Sequence, residues 1–142
     1  MRTGGSVFAI DTNVILRFLV RDDEQLFIKA HAIMQAAIDG QITVLCDPVI
    51  LAEVVWVLGS HYKRLRAEVL EALEAILISD AVIMPEKARY LRALEIYGNS
   101  KAHFADACAC AAALEDCDGR LLSFDRKLSS VEEVRRMESL DA

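Results

Sequence analysis

Between Phe104 and Leu114 the chain reads FADACACAAAL, eleven residues of which only Asp106 is charged. The others are small or apolar and suit a helix. A helix apolar on every side belongs in a core rather than on a surface. A carboxylate in it is costly unless a hydrogen bond, a cation or a metal satisfies it. One reading puts Asp106 in the first turn, where the helix dipole and free backbone N–H groups favour an anion. A functional reading competes with it, because single acids mark three other apolar segments.

Those segments emerge along the chain. Ser6 to Ile10 reads as a short buried strand ending at Asp11. Asp11-Thr12-Asn13 is turn and helix-cap chemistry, so Asp11 also has a structural reading as the cap of the apolar helix that follows. Asp22, Asp23 and Glu24 open a second helix to about Asp39, closed by Gly40. Ile42 to Cys46 is a second strand, and Asp47-Pro48 a strong helix start. In that helix, Pro48 to Leu58 carries one charge, Glu53, too far inside to cap. Its structural reading is a core-edge acid that pairs with a cation or snorkels to water.

Arg66 to Ser79 is amphipathic, with Val69, Leu70, Leu73, Ile76 and Leu77 on one face. Ala81 to Met84 is a third strand. A helix from Glu86 to Tyr97 is expected to stop at Gly98. The Asp106 helix runs to about Cys117, and Asp118-Gly119 turns the chain. Arg120 to Phe124 is a fourth strand ending at Asp125, and a last strand is expected near Arg136 to Leu140. Strands alternate with helices, without repeats or linkers, over 142 residues. This predicts one α/β domain over residues 1–142, with a short, mostly parallel sheet of about four to five strands flanked by helices.

Composition bounds the function. The share of hydrophobic residues is 54%, high enough to suggest buried elements or an oligomer interface. No apolar run reaches the ~18 residues that span a bilayer. The start, with Arg2 and polar residues, is unlike a signal peptide, so a cytoplasmic address is expected. Cys46, Cys108, Cys110 and Cys117 form no CxxC pair and read as reduced, buried thiols rather than zinc ligands. His31, His61 and His103 are scattered and read as surface or capping residues. A net charge of -6 argues against a general polyanion binder, unless acids gather around cations.

Asp11 and Asp125 each follow an apolar strand, where open α/β sheets bind ligands. Glu53 and Asp106 are lone acids in apolar helices. Right-handed crossovers let one sheet edge gather all four. Two carboxylates ~4 Å apart repel by about 4 kcal/mol at an effective dielectric near 20. Such a group therefore needs protons or cations. Oxygen ligands without His or Cys suit Mg²⁺ or Mn²⁺. Carboxylate-held Mg²⁺ is common equipment for phosphodiester hydrolysis.

With these residues in place, the chain resembles the PIN-domain ribonucleases, and its size resembles the VapC-type toxins of toxin–antitoxin pairs. The resemblance rests on the first strand running into Asp11-Thr12-Asn13, on LAEVVWVL with Glu53, on FADACACAAAL with Asp106, and on LLSFDRKL with Asp125. The acids lie 42, 53 and 19 residues apart in order. The resemblance implies a three-layer PIN-like fold and metal-dependent endonucleolytic cleavage of RNA. It implies Asp11 and Asp106 as principal Mg²⁺ (or Mn²⁺) ligands, with Glu53 and Asp125 completing the acidic pocket. It places Thr12, Asn13 and Ser123 as small polar supports for those carboxylates. It further implies a homodimer and a small antitoxin whose C-terminal segment occupies the pocket. Arg17, Arg21, Lys63, Arg64, Lys101, His103, Arg126 and Lys127 are candidate RNA contacts by position. Two alternatives compete: a non-catalytic interaction domain of the same fold, and a haloacid-dehalogenase-type phosphatase. The latter wants a second Asp where Asn13 stands.

Overall fold

The computed structural model describes residues 5–140; Arg2 lies outside them. Its elements alternate as expected. Strand β1 is Ser6–Ala9, followed by α1, Thr12–Leu19, and α2, Glu24–Ile38. Next come β2, Ile42–Leu45, α3, Pro48–Ser60, and α4, Arg66–Leu77. Then follow β3, Val82–Ile83, α5, Lys87–Asn99, and α6, Phe104–Asp116. Strand β4 is Arg120–Leu122, a 3₁₀ turn covers Arg126–Ser130, and β5 is Arg135–Met137.

Every strand pairing is parallel. Strand β2 sits between β1 and β3, with Ser6 opposite Ile42 and Val44 opposite Val82. Strand β4 pairs with β5, Arg120 opposite Arg135. The five strands thus form a three-stranded and a two-stranded ladder. Parallel neighbours need crossovers, and the helices supply them. One large core cluster joins Ile10, β2 and β3 to the helices, with Leu51, Leu73, Leu77 and Leu94 fully buried. A smaller one around Cys110, Leu128, Val131 and Val134 seats the β4–β5 unit on α6.

Caps explain most of the boundaries. Asp23 Oδ1 accepts from Leu26 N at 3.1 Å, and Asp47 Oδ1 from Val49 N at 2.8 Å, with Pro48 opening α3. Gly40, at φ +80°, follows the end of α2 as expected. The chain turns between α6 and β4 through Asp118 and Gly119, both at positive φ, and Gly119 N donates to Ala113 O at 2.8 Å.

Three expectations require correction. Strand β1 is not buried: it is hydrogen-bonded along one edge only, and Val7 and Phe8 are 59% and 52% exposed. Helix α6 is not covered all round, since Ala105 and Ala109 are exposed while Phe104, Ala107, Cys110 and Ala111 are buried. Alanine is tolerated on either side of a helix, so its run concealed the wet face.

Gly98 does not stop α5. The helix continues because Asn99 Nδ2 donates to Glu95 O and Ser100 Oγ to Ile96 O, satisfying its last carbonyls. Gly98 is there for contact instead: a Cβ would lie 2.6 Å from Leu70 Cδ2 and 2.9 Å from Leu70 Cβ. Overpacking costs about 1–3 kcal/mol, against about 1 kcal/mol that alanine gains in a helix. Gly98→Ala is therefore expected to destabilise the fold by up to about 2 kcal/mol. A urea midpoint equal to or above that of the unmutated protein would refute the packing role.

Candidate active site

Asp11 follows Ile10, whose N–H extends the ladder to Leu45 O at 3.0 Å. The last strand bond thus sets where Asp11 emerges. Its Oδ1 accepts from Val14 N at 3.2 Å and caps α1. Both readings of Asp11 are compatible: one oxygen serves the cap, and the side chain is exposed with Oδ2 uncommitted.

Asp125 is built the same way. Its Oδ1 accepts from Lys127 N at 3.0 Å and caps the 3₁₀ turn, with Lys127 Nζ 3.9 Å from Oδ2. Ser123 Oγ accepts the Asp125 N–H at 3.0 Å. Ser123 N in turn donates to Met137 O in the β4–β5 unit at 3.0 Å. Ser123 therefore anchors the loop that carries Asp125. Thr12 and Asn13, in the first turn of α1, make no side-chain hydrogen bond to any of the four acids among the described residues.

Glu53 and Asp106 lack such employment. Glu53 is exposed on α3, with no ion pair or hydrogen bond among the described residues, so the expected core-edge pairing with a cation does not form there. Asp106 is the third residue of α6 and half-buried, yet it caps nothing. Its charge reaches one turn along the helix: burial pushes the Cys110 thiol up, and Asp106 pushes it further in the same direction. Burial likewise holds the thiols of Cys46 and Cys108 at about 11. Cys117 is exposed, against expectation; all four cysteines are free. His31 stacks near Phe27, and His61 and His103 end and precede helices, as surface residues.

The four acids sit on elements in contact. Helix α1 packs on α3, α3 on α6, and α6 on β4. Among the described residues, however, no three His, Cys, Asp or Glu side chains are grouped closely enough to hold a metal ion. The donor set still suits a hard cation: oxygen atoms only, reachable from solvent, two of the acids unpaired. Carboxylates with no cation between them repel, so a preassembled group would be unstable. The residues fit Mg²⁺ or Mn²⁺ in chemistry; closing them onto one ion requires side-chain movement.

Of the basic candidates, Arg17 is paired with Asp22 at 3.0 Å and Arg21 with Glu24 at 2.7 Å. Lys127 leans on Asp125. Lys63, Arg64, Lys101 and Arg126 carry no ion pair among the described residues.

One residue that sequence reasoning passed over as part of a helix start is structural to the site. The Arg66 guanidinium donates to the carbonyls of Tyr97, Ser100 and Ala102, the last at 2.6 Å, and lies 4.3 Å from the Tyr97 ring centre. It clamps the loop that launches α6 and so sets where Asp106 begins. A lone arginine at the first helical position offers no sequence signal of this. Hydrogen bonds to charged groups contribute about 1.5–3 kcal/mol. Arg66→Met is expected to cost at least about 2 kcal/mol, with Arg66→Lys recovering only part, since an ammonium lacks the planar fork. Equal denaturation midpoints for Arg66→Met and the unmutated protein would refute the clamp.

A short parallel sheet with helices between its strands, and acids after β1 and β4 and on α3 and α6, is a nuclease-type α/β architecture. The PIN domain family model matches residues 8–134, and the chain belongs to the PIN-domain family. None of the curated proteins matches it. PIN domains are generally nucleases, and a match of this extent leaves no room for a haloacid-dehalogenase fold. No helix among the described residues is long and apolar enough to cross a membrane.

Proposed function

We propose that the chain is a divalent-metal-dependent endoribonuclease, the toxin of a VapC-type toxin–antitoxin pair. The observation that carries this reading is the family match together with all four acids of the motif set. Two of those acids, Glu53 and Asp106, make no side-chain hydrogen bond or ion pair among the described residues. Asp106 is also half-buried, and leaving such a carboxylate unpaired costs free energy that a bound cation would offset.

Asp11 and Asp106 would be the principal ligands of Mg²⁺ or Mn²⁺, with Glu53 and Asp125 completing the pocket. The ion, when bound, would supply an activated water and neutralise charge on the phosphate. The protein's own contribution is positional. The cap on α1 holds one oxygen of Asp11 and leaves the other for the ligand. The Arg66 clamp sets the start of α6, and Ser123 fixes the loop at Asp125. Lys63, Arg64, Lys101 and Arg126, uncommitted at the surface, are available to RNA phosphates.

A homodimer and a small antitoxin partner belong to the same proposal.

Purified protein is expected to cleave RNA with Mg²⁺ or Mn²⁺ and to stop in EDTA. Asp106→Asn should lower cleavage at least about 100-fold, more than the loss of a residue that only supports a ligand typically costs, while its circular dichroism and melting curve stay native. Full activity in EDTA, or in Asp106→Asn, would defeat the mechanism. Expression without an antitoxin should arrest growth, and Asp11→Ala should relieve the arrest. Harmless expression of an active nuclease would remove the toxin assignment alone.

A further inference from the structure

Trp56 is the chain's one tryptophan, and it is 66% exposed. It lies on α3 three residues after Glu53, hence on the same face of the helix. Beside it opens a cavity of about 640 Å³ between α3, the start of α4 and the start of α6. Gly59, Arg64, Tyr97, His103 and Phe104 line it with Trp56. Ala52 and Ala105 also border it, each directly preceding an unpaired acid, Glu53 and Asp106.

The lining has the composition of a nucleotide subsite. Gly59 leaves room at the Tyr97 hydroxyl, which a Cβ would approach to 3.2 Å. Arg66 is spent on backbone carbonyls, but Arg64 carries no ion pair at the rim, and His103 is exposed. A cavity of this size falls in the range that holds a small ligand. The core of a protein–protein interface is depleted of charge. Here Arg64, with no ion pair among the described residues, and exposed His103 share the cavity lining with the exposed ring, an arrangement better suited to a base with its phosphate than to an apolar protein surface.

We infer that this cavity is a nucleobase subsite for single-stranded RNA. The base next to the cleaved phosphate stacks on Trp56, and Arg64 holds a flanking phosphate. The inference rests on the proposed nuclease reading and extends it to a residue that contacts substrate. Base–aromatic stacking contributes about 5- to 150-fold in affinity per base and tolerates any base.

Trp56 provides its own probe. A short single-stranded oligoribonucleotide, titrated into the Asp106→Asn protein with Mg²⁺ present, is expected to quench the tryptophan emission to saturation. An abasic strand of equal length should bind at least about 5-fold more weakly and leave the emission unchanged. Trp56→Ala should weaken oligoribonucleotide binding about 5- to 150-fold, Trp56→Tyr much less. In the otherwise unmutated enzyme, Trp56→Ala should raise KM for RNA by a comparable factor. Arg64→Ala should weaken both strands alike and reduce the salt slope of binding by about one.

RNA cleavage without quenching, or equal affinity for the abasic strand, would overturn the subsite and leave the nuclease reading intact. Quenching and base discrimination without cleavage by the unmutated protein would do the reverse. If emission instead shifts with protein concentration alone, and Trp56→Ala abolishes dimerisation without changing RNA affinity, a second copy covers the ring and the inference fails.

Discussion

The contact between Arg66 and the carbonyls of Tyr97, Ser100 and Ala102 joins the first residue of α4 to the turn between α5 and α6. Helices α4, α5 and α6 pack on one another in sequence, so this turn decides how the last third of the chain meets the rest. A planar guanidinium can satisfy several carbonyls at once and still stack on Tyr97, which an ammonium cannot. With the turn held, α6 starts at Phe104, Asp106 comes into its first helical turn, and α6 in turn seats the β4–β5 unit. The acid at the end of that unit, Asp125, inherits its position from the same clamp.

Two kinds of carboxylate bear on the candidate site. Asp11, Asp23, Asp47 and Asp125 each give an oxygen to a backbone N–H and hold an element end in place. Glu53 and Asp106 hold nothing. Capping and ligation need not compete, because a carboxylate has two oxygens and a cap occupies one. An acid that begins a helix is thereby oriented by the backbone before any cation arrives. Repulsion among uncompensated carboxylates explains why α1, α3 and α6 can be in contact while the acids stay short of a closed group.

Much of the architecture was legible in residue order. Asp47-Pro48, Gly40 and the alternation of strand and helix announced element ends through local chemistry that no distant contact alters. Gly98 was misread because the same residue serves two purposes, a helix stop or a close approach, and only Leu70 distinguishes them. The solvent face of α6 was hidden by alanine, which carries little signal of burial. Glu53 looked enclosed by apolar neighbours in the sequence, yet its helix turns it outward with Trp56.

Residue order alone determined the fold class and singled out the four acids as candidates, since capping, periodicity and ligand type are local properties. It could not settle which apolar residues stay wet, which cations are already spent, or whether the acids converge. Those depend on which surfaces meet, and the strand crossovers, the Arg66 clamp and the packing of α3 on α6 decide that through contacts between residues far apart along the chain.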